Sequence, residues 1–221
     1  MLIFAFFFWF ASRPADIPFQ KHELDLGANE TCAFADLNGD GRLDIVSGEN
    51  WYEAPRWVRH KFREFNFAGN YIDNFSDLAV DVNGDGRLDL VSVSYFTKRM
   101  AWFENPGKGG EWKEHLIDSG FPNEFTFLVD LNNDGKALEL LTQSGDIKSP
   151  LAWYELVGAF VKHVVSPQSY GHGIGAGDVN GDGRNDILTP KGWFEAPADP
   201  RTGSWKMHTG LQKAEAWASC M

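Results

Sequence analysis

The nine-residue run Asp36-Leu37-Asn38-Gly39-Asp40-Gly41-Arg42-Leu43-Asp44 returns three more times, starting at Asp81, Asp130 and Asp178. No other feature restricts the possible folds as much. The starts lie 45, 49 and 48 residues apart, a period that belongs to stacked supersecondary units in which each unit buries its apolar face against the next. Two further patterns share the period. Trp51-Tyr52-Glu53, Trp102-Phe103-Glu104, Trp153-Tyr154-Glu155 and Trp193-Phe194-Glu195 follow the four runs. An aromatic-x-x-His pattern occurs five times, ending at His22, His60, His115, His163 and His208.

Each unit reads as four strands. One enters the acidic run (Ala33 to Ala35, Leu78 to Val80, Phe125 to Val129, Ile174 to Ala176) and one leaves it (Leu43 to Ser47, Leu88 to Val93, Leu138 to Thr142, Asp186 to Thr189). The Trp-aromatic-Glu segment is the third strand and the aromatic-x-x-His segment the fourth. Short β-branched and aromatic runs between Gly, Asn and Pro favour strand, and no sustained helical stripe competes. The predicted fold is all-β: a β-propeller of four-stranded blades, four of them present. Phe19 to Leu24 then reads as a fourth strand arriving before any first strand, with no host, which points to a truncated larger propeller. The expected organisation is a signal-like hydrophobic segment over 1–15, blades over 16–208 and an irregular tail over 209–221.

The acidic runs have the chemistry of a hard-cation loop. Calcium takes six to eight oxygens at flexible distances. Side chains at positions 1, 3, 5 and 9 with the backbone carbonyl of position 7 supply them, and a Gly at position 6 permits the sharp turn. The expected ligands are Asp36, Asn38, Asp40, Arg42 and Asp44 in the first loop and Asp81, Asn83, Asp85, Arg87 and Asp89 in the second. They are Asp178, Asn180, Asp182, Arg184 and Asp186 in the fourth. The third offers Asp130, Asn132, Asp134 and Lys136, but Leu138 stands at position 9 with Glu139 one residue later. Either the longer Glu side chain reaches back or that site is weak. An all-oxygen set disfavours zinc and copper. An EF-hand is excluded, because position 12 is Ser47, Ser92, Leu141 and Thr189 rather than Glu.

Charge reads differently once the loops are recognised. The formal net charge of −11 argues against a nucleic-acid partner. Four divalent ions, eight positive charges, would bring it to about −3, so most of the acidity is ligand field.

The repeated D-x-N-G-D-G-x-x-D loop between two strands resembles the FG-GAP or VCBS repeat family. The Trp-aromatic-Glu and aromatic-x-x-His additions are similar to secreted bacterial VCBS-repeat proteins and to the propeller domain of aldos-2-ulose dehydratase. The resemblance covers about residues 19 to 208 and implies a calcium-binding propeller module for binding or interaction, with a carbohydrate or protein ligand. Its enzymatic alternative is a sugar lyase or dehydratase.

Residues at one offset before successive loops should approach one another. Six positions ahead of each first Asp stand Glu30, Phe75, Glu124 and His172. Two carboxylates and an imidazole there suit a metal or acid–base work on a sugar, so Glu30, Glu124 and His172 are the candidate catalytic residues; solvated polar groups at a channel mouth are the structural alternative. The five repeated histidines lie on different units and read as structural, as do the third-strand tryptophans. No G-x-S-x-G, HExxH or phosphate loop is present. At the amino end, Leu2 to Ala11 is too short to span a bilayer but has the length of a signal's hydrophobic region. A secreted, periplasmic or extracellular protein is expected. Cys32 and Cys220 show no metal or redox spacing.

Overall fold

The computed structural model describes residues 17–108, 110–156 and 158–210. The signal-like segment and nearly all of the tail lie outside them. The described residues are all-β with no helix, so no helix is long and apolar enough to cross a membrane. They form four four-stranded antiparallel sheets, each a simple meander.

The first sheet runs β1 (Ala33–Ala35), β2 (Asp44–Ser47), β3 (Asn50–Glu53) and β4 (Val58–Lys61). A small hairpin follows, β5 (Phe67–Ala68) and β6 (Tyr71–Ile72). The second sheet is β7 (Ser76–Val80), β8 (Asp89–Val93), β9 (Arg99–Glu104) and β10 (Lys113–Ser119). The third is β11 (Asn123–Val129), β12 (Glu139–Ser144), β13 (Leu151–Leu156) and β14 (Phe160–Ser166). The fourth is β15 (Gly175–Gly177), β16 (Asp186–Thr189), β17 (Gly192–Glu195) and β18 (Lys206–His208). Each acidic loop joins the first strand of a sheet to its second, as the sequence leads one to expect.

The second strands β8 and β12 are buried along their whole length, polar residues such as Ser92, Glu139, Thr142 and Gln143 included. Their two faces serve different neighbours. Val46 and Ala35 of the first sheet pack with Leu90 of the second. Val91, Val93 and Met100 meet Leu140 and Tyr154 of the third, and Leu141 and Trp153 meet Ile187 and Phe194 of the fourth. The sheets thus pack face to face in chain order. Each sheet buries in its neighbour the apolar surface that so small a sheet cannot cover alone.

One expected strand is absent. Phe19 to Leu24 has no strand structure and His22 is exposed. A fourth strand needs the free edge of a third. Every described third strand is already flanked, β3 by β2 and β4, and β9, β13 and β17 likewise. The segment instead stands off the first sheet across a groove of about 660 Å³ that Ile45 and Tyr52 help to line. It is tied there by Asp25, which accepts hydrogen bonds from the Tyr52 hydroxyl at 2.9 Å and Arg59 Nη1 at 3.2 Å.

Candidate functional site

The acidic loops wrap around their own first residue. Asp36 Oδ1 accepts the amides of Gly39 and Asp40 at 2.8 and 3.0 Å, and Oδ2 accepts that of Gly41 at 2.8 Å. Asp81 and Asp178 do the same in their loops. In the third loop, Asp130 receives the amides of Asp134 and Gly135. Turning the chain this tightly requires left-handed backbone at position 6, where φ is 82° at Gly41 and 84–86° at Gly86, Gly135 and Gly183. Position 4 is left-handed too. Three loops place Gly there, and the third uses Asn133 at φ 62°, the side chain best able to tolerate that region.

The five expected ligands of each loop fall into two groups. Positions 1, 3 and 5 lie at or near the surface, whereas the ninth-position acids Asp44, Asp89 and Asp186 are fully buried. Asp44 Oδ2 accepts the Leu37 amide at 3.1 Å and Oδ1 the Ala54 amide at 2.9 Å, tying the loop to the end of β3. Asp89 and Asp186 repeat both bonds. Burial pushes the Asp44 and Asp89 carboxyls up from the ordinary range, and the amides only partly offset it.

In the third loop Glu139 is the residue that pairs with Val129, as Asp44 pairs with Ala35 and Asp89 with Val80. Its carboxylate accepts the Leu131 amide at 3.1 Å and Asn132 Nδ2 at 2.9 Å. The extra residue is absorbed between Lys136 and Glu139, where the Leu138 amide bonds to the Lys136 carbonyl. Burial pushes the Glu139 carboxyl up to about 7.

Among the described residues no three His, Cys, Asp or Glu side chains are gathered into a metal-holding group. The outer ligand set of each loop is two Asp, one Asn and a backbone carbonyl, all oxygen, which fits calcium rather than a softer ion. In the first, second and fourth loops the position-7 arginine pairs with the position-5 aspartate, as in Arg42 Nη1 to Asp40 Oδ2 at 3.1 Å. A bound cation would have to compete with that guanidinium.

The other repeated residues form a cross-strand device. Trp51 stacks on His60 with ring centroids 4.2 Å apart, and Trp102 on His115, Trp153 on His163 and Trp193 on His208 are alike at 4.2–4.3 Å. The cause is register. Each pair is directly opposed on the third and fourth strands, and the Glu two residues after the Trp faces the same side. Nε2 of His60, His115 and His208 therefore reaches Glu53, Glu104 and Glu195 at 2.9, 2.7 and 2.6 Å. In the third sheet Arg201 takes the Glu155 carboxylate with a two-pronged grip, and His163 is left 3.4 Å from it.

At the opposite end of the first strands from the loops, two of the three candidates, Glu124 and His172, are in contact, and Glu30 is bonded to Tyr71 instead. His172 Nδ1 lies 2.8 Å from Glu124 Oε2. That oxygen is buried and has no aligned hydrogen-bond donor. Glu30 accepts a hydrogen bond from the Tyr71 hydroxyl. That bond and the Glu30 charge hold the phenol above its usual range, and the Glu124 charge adds to the effect. The Ser76 hydroxyl and the Glu124 carbonyl, 3.4 Å apart, fasten the second sheet to the third at the same end.

Sequence reasoning placed Phe75 here but missed its company. The Tyr71 ring stacks with Phe75 at 6.2 Å, and Phe96 and Tyr95 stand edge-on or tilted to Phe75 at 5.9 and 5.8 Å. Tyr71 comes from the β5–β6 hairpin and Tyr95 and Phe96 from the β8–β9 turn. Tyr71 and Phe96 are about half exposed, at 48% and 47%. A further unforeseen group lies below them. Arg63 and Asp77 form an ion pair at 2.7 Å with both side chains wholly buried, and Phe62, Phe65 and Phe103 surround the guanidinium.

Comparison with known proteins bears on the repeats first. A family model described as FG-GAP-like repeat matches residues 81–142, the span from the second acidic loop to β12. No curated protein matches the sequence. A solved structure of an Agrocybe aegerita lectin, described as recognising non-reducing terminal N-acetylglucosamine, superposes with TM-score 0.51 at 21% identity. The match covers 83% of this chain and 54% of that one. The V. cholerae biofilm matrix protein Bap1 superposes with TM-score 0.45 at 18% identity, covering 83% of this chain and 31% of that one. The chain therefore spans about half the length of the lectin and about a third of Bap1.

Proposed function

We propose, starting from the FG-GAP-like repeat that residues 81–142 carry, that this chain is a calcium-binding module of β-propeller blades that binds carbohydrate. The blades would occupy 16–208, after an export signal within 1–15. The observation that carries the ligand reading is the Glu124–His172 contact together with Glu30 bonded to Tyr71, whose half-exposed ring packs with Phe75 and Phe96. Aromatic faces take the C–H faces of a pyranose, and carboxylate, phenol and imidazole supply the few directed hydrogen bonds that orient it. The superposition with a lectin agrees with this reading.

Calcium would sit in the loops, at the other end of the first strands. Positions 1, 3 and 5 and the position-7 carbonyl would hold it. The buried ninth-position acid, whose oxygens each already accept one amide, would complete the shell or back it. Calcium would supply charge neutralisation and rigidity, and the ligand chemistry belongs to the other end. Export suits such a module, because weak extracellular calcium sites fill at millimolar calcium.

Glycan-array binding followed by calorimetry on the intact chain in calcium tests the assignment. Phe96→Ala and Glu124→Ala should each weaken the best glycan by about tenfold or more, roughly 1.4 kcal/mol. Unchanged affinity in folded variants would remove the site. The enzymatic alternative, a sugar lyase or dehydratase, would use His172 as base with Glu124 orienting it. Appearance of an unsaturated product from a bound glycan would favour that reading.

A further inference from the structure

We infer that the groove between the first sheet and the segment Phe19 to Asp25 receives a β-strand of Trp-aromatic-Glu pattern from a partner protein, paired antiparallel to that segment. The molecule itself shows what fits there. Four of the five aromatic-x-x-His patterns lie beside a third strand, and each of those histidines stacks on its Trp. The fifth, Phe19 to His22, has no strand beside it among the described residues. Phe19 is 91% exposed, whereas its counterparts Trp57, Trp112, Phe160 and Trp205 are all partly buried.

A second correspondence fixes the segment's place. In the third sheet Tyr154 and Lys162, directly opposed on β13 and β14, both donate to Asp118, three residues after His115 on β10 of the second sheet. In the first sheet Tyr52 and Arg59, opposed in the same way, both donate to Asp25, three residues after His22. The segment therefore stands to the first sheet as β10 stands to the third. Between the second and third sheets, the space inside β10 is filled by side chains of β8 and β9. Trp102 packs there on the cluster that holds Leu140 and Tyr154. Their counterparts Ile45 and Tyr52, paired as Leu140 and Tyr154 are, line the groove, and His22 lines it too.

The chemistry of the occupant follows. A strand paired with Phe19 to Asp25 puts a Trp opposite His22 and into the groove. A Glu two residues on faces the same side and reaches the imidazole, as Glu53, Glu104 and Glu195 do in their sheets. Pairing also gives partners to peptide groups that no strand now satisfies. A second copy has no such strand to offer among its described residues, because each third strand is already flanked on both sides. The partner is a protein that displays this strand at the edge of its own sheet.

The test uses the full chain in calcium at neutral pH. Its probe is a fluorescein-labelled peptide with the sequence of residues 97–106, which contains β9 with Trp102 and Glu104. Fluorescence anisotropy should show saturable binding, and the amides of 19–25 should exchange more slowly in the complex. Placing Ala at the peptide's Trp or Glu, or His22→Ala in the chain, should each weaken binding about fivefold or more. His22 is exposed, so its replacement should leave the melting temperature unchanged. No saturable binding up to about 1 mM peptide would overturn the inference. Binding indifferent to both His22→Ala and the peptide's Trp would overturn it as well. So would a chain that sediments as a dimer and becomes a monomer on His22→Ala, since a second copy would then hold the groove.

Discussion

Asp44, Asp89, Glu139 and Asp186 each open the second strand of a sheet with a buried carboxyl that accepts two hydrogen bonds. Glu139 has the largest consequence for pH. Its carboxyl ordinarily titrates near 4.5 and is pushed up to about 7, so between those values the folded chain holds a proton that the unfolded chain has lost. The Glu139 contribution to stability of the calcium-free protein should then fall as pH rises from 4.5 to about 7. Urea unfolding in chelator at a series of pH values checks this, and Glu139→Gln should flatten that part of the curve. Calcium in the third loop should flatten it as well, by favouring the ionised form. The loop acids were legible in the sequence because their spacing is local. For Glu139 the sequence left two readings open, because Leu138 occupies the ninth position, and the pairing of Val129 with Glu139 shows that it takes the place of the ninth-position acids. The Arg63–Asp77 pair was hidden because its partners are fourteen residues apart, Arg63 in the connection after β4 and Asp77 on β7.

At the level of elements, most strands fall within a few residues of where alternation and turn residues put them. The Trp-aromatic-Glu and aromatic-x-x-His patterns gave the third and fourth strands, but their meaning needs register, which a single strand does not carry. Pairing turns the three repeated residues into a stacked Trp–His with a Glu bonded to the ring. His115→Ala removes one stack and one hydrogen bond, at a cost of about 1–2 kcal/mol. The loss should be the same in calcium and in chelator, read by thermal melting. The β5–β6 hairpin was missed although Gly69-Asn70 between Phe67-Ala68 and Tyr71-Ile72 is a two-residue turn signal. It lies between units, where the repeat gave no guide, and it delivers Tyr71 to Glu30. The misplaced strand at Phe19 to Leu24 has the opposite lesson. Its sequence repeats the fourth-strand pattern, but a strand exists only where an edge is free to receive it.

Across the whole molecule, the period announced a stack of similar sheets, and the contacts between them show how stacking is fastened. Asn105, 2% exposed, donates from Nδ2 to the Leu37 carbonyl of the first sheet's loop and to the Leu88 carbonyl of its own. Asn185 reaches the Asp130 carbonyl in the same way between the fourth sheet and the third. Asn105→Ala leaves one buried and one part-buried carbonyl without that donor and should destabilise by about 1–3 kcal/mol, seen as a lower urea midpoint. Because these bonds end on the acidic loops, loop geometry and sheet packing are coupled, and an ion that stiffens a loop should stiffen the stack. Thermal melting of the intact chain in millimolar calcium and in chelator, with Asp40→Ala and Asp85→Ala alongside, tests that coupling most directly. Calcium should raise the melting temperature of the parent chain, and each substitution should lower it chiefly when calcium is present. A parent melting temperature indifferent to calcium, or equal losses in chelator, would contradict the assignment of these loops as calcium sites.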